Sequence, residues 1–275
     1  MCERKRKYVL LDLDDTILDF HTAERTSIAQ AFQSLGLPSD EAVLRRYSEI
    51  NAWCWQQLEC GAMERAEILV RRFELLFSEL GFNGDPGEAQ HRYEMLLKSG
   101  HYFVPGAIKL LETISPRYEL YLISNGNAST QESRLKSAQI SHYFKDIFIS
   151  ELVGHNKPSP AFYEACFKKI PDFCPEDAVV VGDSLASDIQ GGINMGLTTC
   201  WFNPGHAPAR VIFRLIMNSA RSMRCLRCLS VFSANDTVKD AKRPANGRSL
   251  VIIEESAAPE QAGRPESREN LPEVH

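Results

Sequence analysis

Five short apolar runs are spaced along the chain, and the stretches between them are too long for hairpin turns: Tyr8 to Leu11, Tyr118 to Ile123, Ile147 to Ile149, Ala178 to Val181 and Thr198 to Phe202. Each is followed by polar residues, as expected of strands covered on both faces. Helical patterns fall between the later runs, over Gly106 to Ser115, Ala128 to Ala138, Pro160 to Ile170 and Leu185 to Met195. Strand and helix in alternation, joined by short links, predict an α/β fold built on a parallel sheet with helices on both faces. A chain of 275 residues that is 44% hydrophobic can bury the core such a sheet needs.

One interval breaks the alternation. From His21 to about Tyr102 there is helical periodicity and no convincing strand. Val43, Tyr47, Ile50, Cys54 and Leu58 repeat at helical spacing, and Leu69, Phe73, Leu76, Phe77 and Leu80 continue in the same manner. With Thr22 to Leu35, closed by Gly36, and a last helix near Glu88 to Lys98, the interval is expected to hold about four helices inserted after the first strand. Phe73 and Phe77 read as core. Trp53 and Trp55 stand off the stripe or at its edge and are free for a substrate-facing role.

Ligands of open parallel sheets bind beyond the carboxyl ends of the strands. Those ends carry Asp12 and Asp14 after the first run, Ser124 and Asn125 after the second, Lys157 beyond the third, and Gly182, Asp183 and Asp188 after the fourth. Asp12, Asp14 and Asp183 brought together would repel unless a cation neutralised them. Hard oxygen ligands suit Mg²⁺, which keeps room for water and a substrate phosphate. Ser124, the amides after it and Lys157 offer donors and a point charge to a phosphoryl group. An aspartate so placed can act as nucleophile, with a second carboxylate two residues on moving the proton. In an extended segment Asp12 and Asp14 share a side and Leu13 points inward. Asp15 reads as a solvated or helix-capping carboxylate.

Taken in order, DLDDT (Asp12 to Thr16), the strand ending in Ser124, Lys157 before a proline, and GDSLASD (Gly182 to Asp188) resemble the four motifs of the haloacid dehalogenase superfamily. The resemblance runs from about Tyr8 to Pro204 and implies a Rossmann-like core with a helical C1 cap inserted after the first strand. On that basis residues 1–20 and 103–209 form the catalytic core and 21–102 the cap. The resemblance further implies that Asp12 is nucleophile and Mg²⁺ ligand, that Asp14 is the acid/base and a ligand through its carbonyl, and that Asp183 is a third ligand. Ser124, Asn125 and Lys157 then bind phosphate, while Thr16 and Asp188 support the site. The cap segments WCWQQLECG (Trp53 to Gly61) and RRFELLF (Arg71 to Phe77), with the ending SDIQGGINMGLTTCWFNP, are most similar to the pyrimidine 5′-nucleotidase-like branch. Trp55, Glu59 and Arg72 are then candidates for substrate selection, and a nucleoside 5′-monophosphate is the expected substrate. Sugar phosphates and N-acylneuraminate 9-phosphate are the alternatives. A 2-haloacid dehalogenase is disfavoured because a metal-free site has no use for Asp14.

Composition bounds the remaining readings. No apolar run approaches a membrane span, and the basic N-terminus leads into a short apolar run that ends in acids, so no membrane partner and a cytoplasmic location are expected. The eight cysteines are scattered, as reduced thiols are, and the lone CxxC pair, Cys225 and Cys228, lacks a second pair to complete a zinc site. Residues 1–209 carry 20 Lys+Arg against 28 Asp+Glu, whereas residues 210–248 carry 9 against 2. This break marks a tail, 210–275, in which arginines fall on no consistent face before a Pro, Glu and Ser-rich end of disordered type. No nucleic-acid fold accompanies the basic stretch, and binding of nucleic acid or protein through it is set aside. Permitted codons for Arg210 through Leu226 can also be chosen to read GYIPTDYEFRSLDEVL in a shifted frame, so a frameshift near Ala209 or Arg210 is the second reading of this tail.

Overall fold

The computed structural model describes residues 7–203, 237–240 and 251–254. Its core begins with β1 (Tyr8–Leu11), after which the chain leaves the sheet for four helices, α1 (Phe20–Ser34), α2 (Glu41–Glu59), α3 (Arg65–Leu80) and α4 (Pro86–Leu97). It returns through α5 (Ala107–Ile114), β2 (Glu119–Ser124), α6 (Ala128–Ala138), β3 (Asp146–Ile149), α7 (Ser150–Val153), α8 (Pro160–Phe167) and β4 (Ala178–Gly182). A π-helical turn, Leu185–Ile189, then runs into α9 (Gln190–Asn194) and β5 (Thr198–Phe202).

Strands β1 to β5 form a parallel sheet in the order β3-β2-β1-β4-β5, with β1 central and in register with β2 (Leu11↔Leu122) and β4 (Leu11↔Val181). Period-two alternation divides the strand side chains between two apolar layers. Val9, Leu11, Leu122 and Val181 pack with Leu110 and Leu135, while Leu10, Tyr121, Ile123 and Val180 pack with Phe162 and Cys166. Helices therefore cover both faces, which is the expected Rossmann-like arrangement. Two short strands, β6 (Thr237–Asp240) and β7 (Val251–Glu254), extend the β5 edge, β7 parallel to β5 and β6 antiparallel to β7. They lie within the stretch read from sequence as a tail; its residues 210–236, 241–250 and 255–275, with Cys225, Cys228 and the frameshift reading, fall outside the described residues.

The insert packs around its own aromatic centre. Phe32, Tyr47, Phe73, Phe77 and Tyr93 are buried together, and the helix ends are set locally: Asp19, Asp40 and Asp85 accept backbone N–H groups at the starts of α1, α2 and α4. Gly36 and Gly81 take left-handed φ where α1 and α3 stop. The observed boundaries differ from the sequence reading by a residue or two, save at α8, which stops three residues short of Ile170, and at Leu185 to Met195. There the amides of Asp188 and Ile189 both bond the Ser184 carbonyl, which widens the first turn before α9 begins. Among the described residues no helix is long and apolar enough to cross a membrane.

Candidate active site

The central strands deliver the acidic residues to one end of the sheet. Asp12 follows β1 and continues its ladder, donating its amide to the Val181 carbonyl at 2.9 Å. Its carboxylate is buried and accepts from Lys157 Nζ at 2.6 Å; the same ammonium reaches Asp188 Oδ1 at 2.8 Å and the Ile123 carbonyl at 3.1 Å. Asp188 approaches so closely because position 182 is glycine: a Cβ there would collide with its carboxylate. Asp183, one residue beyond β4, is held through its carbonyl by the Trp201 indole N–H at 2.7 Å.

Asp12, Asp183 and Asp188 can bring carboxylate oxygens within 4.8 Å of one another. Among the described residues, three carboxylates against the single ammonium of Lys157 leave two negative charges uncompensated. Burial pushes the Asp12 and Asp183 carboxyls well above the carboxylate range, and each is pushed further by neighbouring aspartates, while Lys157 opposes the rise. For Lys157, burial alone would lower the ammonium, but Asp12 and Asp188 outweigh it and hold it charged. The donor set, hard oxygens with an excess of two charges, fits a divalent cation such as Mg²⁺.

Asp14 shares the Asp12 side of the segment but turns to α6. One oxygen accepts from Gln131 Nε2 at 2.6 Å and the other is ion-paired with the buried Arg134, whose Nε donates to the Gly100 carbonyl at 3.1 Å where the chain returns from the insert. Gln131 also donates to Ser124 Oγ at 2.9 Å, and the Gly126 amide donates to the same oxygen at 3.1 Å. Asn125 is otherwise engaged than a phosphate donor would be: its side chain accepts the Lys157 amide at 2.8 Å and donates to the Lys157 carbonyl at 3.0 Å and to Glu59 at 3.3 Å. Asp15 caps α1, its Oδ1 accepting from the Phe20 and His21 amides. Thr16 is buried away from the cavity, and its hydroxyl has no hydrogen-bond partner among the described residues.

Above these residues lies a cavity of ≈ 670 Å³ between insert and sheet, a size suited to a small organic ligand. Trp53, Trp55, Glu59 and Arg72 line it from the insert. Arg72 is buried and occupied, donating to the Leu69 carbonyl, Asn51 Oδ1 and Gln90 Oε1 at 2.7 to 3.1 Å. Sequence reasoning missed Gln131, Arg134, Glu24, Asn51 and Gln90. The signal was thin: polar residues on an amphipathic helix read as its solvated face until a partner from a distant segment is seen to bury them.

Residues 7–196 match the haloacid dehalogenase-like hydrolase family. The chain is 36% identical over 205 residues to the HAD hydrolase YfnB of Bacillus subtilis, covering 74% of this chain and 87% of that one. It is also 36% identical to the pyrimidine 5′-nucleotidase PynA of Streptococcus pneumoniae (73% and 85% covered) and 28% identical to the pyrimidine 5′-nucleotidase YjjG of Escherichia coli (74% and 88%). A crystal structure of YfnB, described as bound to magnesium and as revealing interdomain movement, superposes with a TM-score of 0.72 over 74% of this chain and 92% of that chain, at 36% identity.

Proposed function

This chain belongs to the haloacid dehalogenase-like hydrolases, and from that premise we propose that it is a Mg²⁺-dependent phosphatase acting on a nucleoside 5′-monophosphate, with a pyrimidine base preferred. The observation that carries the proposal is the buried Asp12 carboxylate, bonded to Lys157 at 2.6 Å, at the floor of a cavity whose acids exceed its bases. Asp12 attacks phosphorus; the bond to the ester oxygen breaks as Asp14 gives that oxygen a proton. Water then attacks the aspartyl-phosphate, Asp14 takes its proton, and inorganic phosphate leaves with Asp12 regenerated.

Around the reacting atoms each residue has a separate task. Ser124 and the Gly126 amide hold phosphoryl oxygens, and Lys157 offsets charge on both substrate and nucleophile. Asn125 places Lys157 by clasping its backbone. Asp12, Asp183 and the Asp14 carbonyl would hold Mg²⁺, with Asp188 supporting them and Lys157 together. When bound, the ion supplies neutralisation of the carboxylates and of the phosphoryl charge. Trp55 and Glu59 face the leaving group, and Arg72 acts through the side chains of Asn51 and Gln90 that it holds.

The test is a phosphate-release screen over nucleoside monophosphates and sugar phosphates, with and without Mg²⁺ and with Asp12→Asn as control. Expected are Mg²⁺-dependent release, fastest from a pyrimidine 5′-monophosphate, and its loss in the variant. Release that persists near wild-type rate in Asp12→Asn overturns the mechanism; equal turnover of every phosphomonoester overturns the substrate assignment.

A further inference from the structure

A guanidinium from the cap reaches into the loops that carry the phosphate site, although it touches none of the reacting groups. Arg65 is the first residue of α3. Its Nη1 donates to the Asn125 carbonyl at 2.6 Å, and its Nη2 donates to Ser150 Oγ at 2.6 Å and to Asn156 Oδ1 at 2.7 Å. Those acceptors sit on three separate segments: the turn after β2, the first residue after β3, and the loop that enters Lys157. All three are uncharged. The guanidinium's planar fork is thus used for its geometry, spanning three strand-end segments that few other side chains could reach at once.

Peptide planarity gives one of these bonds a consequence inside the site. The carbonyl of Asn125 and the amide of Gly126 belong to one rigid plane and point in opposite directions. Holding the carbonyl from the cap side therefore aims the Gly126 N–H the other way, where it meets Ser124 Oγ at 3.1 Å. Gln131 packs against this turn so closely that no Cβ would fit at Gly126. The same turn carries the Asn125 side chain that clasps the Lys157 backbone through two hydrogen bonds of 2.8 and 3.0 Å. One cap side chain thereby governs the direction of a phosphate-facing amide and the placement of the phosphate-facing lysine.

We propose that Arg65 is a positioning residue that couples docking of the cap to assembly of the phosphate site: with the cap in place it fixes the Asn125–Gly126 peptide and the Lys157 loop, and a cap that moves away takes that restraint with it. The inference rests on the phosphatase reading above for its effect on turnover, but the fastening itself does not depend on it. It is tested on the full chain with Arg65→Ala and Arg65→Lys, by hydrogen exchange of peptides covering 124–128 and 155–158 and by steady-state phosphate release. Loss of hydrogen bonds to a charged donor, about 1.5 to 3 kcal/mol, corresponds to roughly ten- to hundredfold faster exchange in those two segments. The exchange of α2 and α4 stays as in the wild type, kcat/KM falls about tenfold or more, and Arg65→Lys recovers part of it. Unchanged exchange in the two segments, faster exchange spread through the whole cap, or wild-type kcat/KM in Arg65→Ala each overturns the inference. If the exchange pattern appears but the wild type releases phosphate from no substrate, the fastening stands and the proposed function falls.

Discussion

Two of the ionic clusters that line the cavity differ in their charge balance. In the cap, Arg72 donates to Asn51 at 2.7 Å and Asn51 donates to Glu24 at 2.5 Å, so one cation and one anion are joined through an amide. Arg72 also holds Gln90 at 2.8 Å, and the next acid, Glu94, has its own partner in Lys98 at 3.0 Å. In the core, Asp12, Asp183 and Asp188 cluster together, and among the described residues Lys157 is the cation paired with them, through Asp12 and Asp188. A buried cluster that balances itself asks for no ligand and is explained by shape and specificity. One that leaves two charges over is stable in water only with protons or a cation, and that imbalance, rather than burial or charge alone, marks the reactive end of the cavity.

The largest expected break in this contrast comes from the core. Asp12→Asn keeps the shape of the site but removes the nucleophile and one excess charge, and phosphate release should fall by at least about 10³-fold. Asp14→Asn removes proton transfer and should cost about 10²- to 10⁴-fold in kcat. Asp12→Asn should cost little stability, since Lys157 keeps Asp188 as its partner, whereas Asp14→Asn leaves the buried Arg134 without its carboxylate and should lower stability as well. The cap should respond in the opposite sense: Arg72→Met leaves Glu24 buried and unpaired, with an expected loss of about 3 to 5 kcal/mol in urea unfolding. Adding Glu24→Gln to Arg72→Met should restore most of that loss, because the balanced cluster can be replaced as a unit. A double variant no more stable than the single one would show that the two clusters are not different in kind.

How much of this was legible in the sequence follows the same division. The sheet was readable because strands covered on both faces are short uninterrupted apolar runs, and Asp12, Ser124, Lys157 and Asp183 were readable because each follows such a run or its loop directly. Excess charge beside an apolar run is conspicuous along the chain. Arg134 and Gln131 were not, since on α6 they look like any solvated helix face until Asp14, more than a hundred positions earlier, is brought against them. Arg72 was picked out but its role was not: its partners Asn51 and Gln90 lie on α2 and α4, and helical periodicity does not say which helices are neighbours. Asn125 shows a third limit, for position after a strand did not reveal that its amide turns back to the Lys157 backbone.

The smallest expected effect concerns stability and sharpens the comparison through pH. The Asp12 and Asp183 carboxyls are held above their unfolded value of 3.8, so the folded metal-free chain binds protons more tightly than the unfolded one does. Stability from this source is therefore greatest below about pH 4 and declines as pH rises toward the folded values, the reverse of an ordinary salt-bridged aspartate. Mg²⁺ binds the deprotonated carboxylates and should offset that decline, by about 2.7 kcal/mol at a concentration a hundred times its Kd. The expected result is a rise in Tm of several degrees with Mg²⁺ at pH 8, a smaller rise at pH 5, and none at either pH in Asp183→Asn. Glu24 in the cap is also raised by burial, but its counter-charge is already supplied by Arg72, so Glu24→Gln should leave the Mg²⁺-induced shift as it is. A Mg²⁺ shift that is independent of pH, or one abolished by Glu24→Gln, would mean that the excess charge at the strand ends is not what the cation answers.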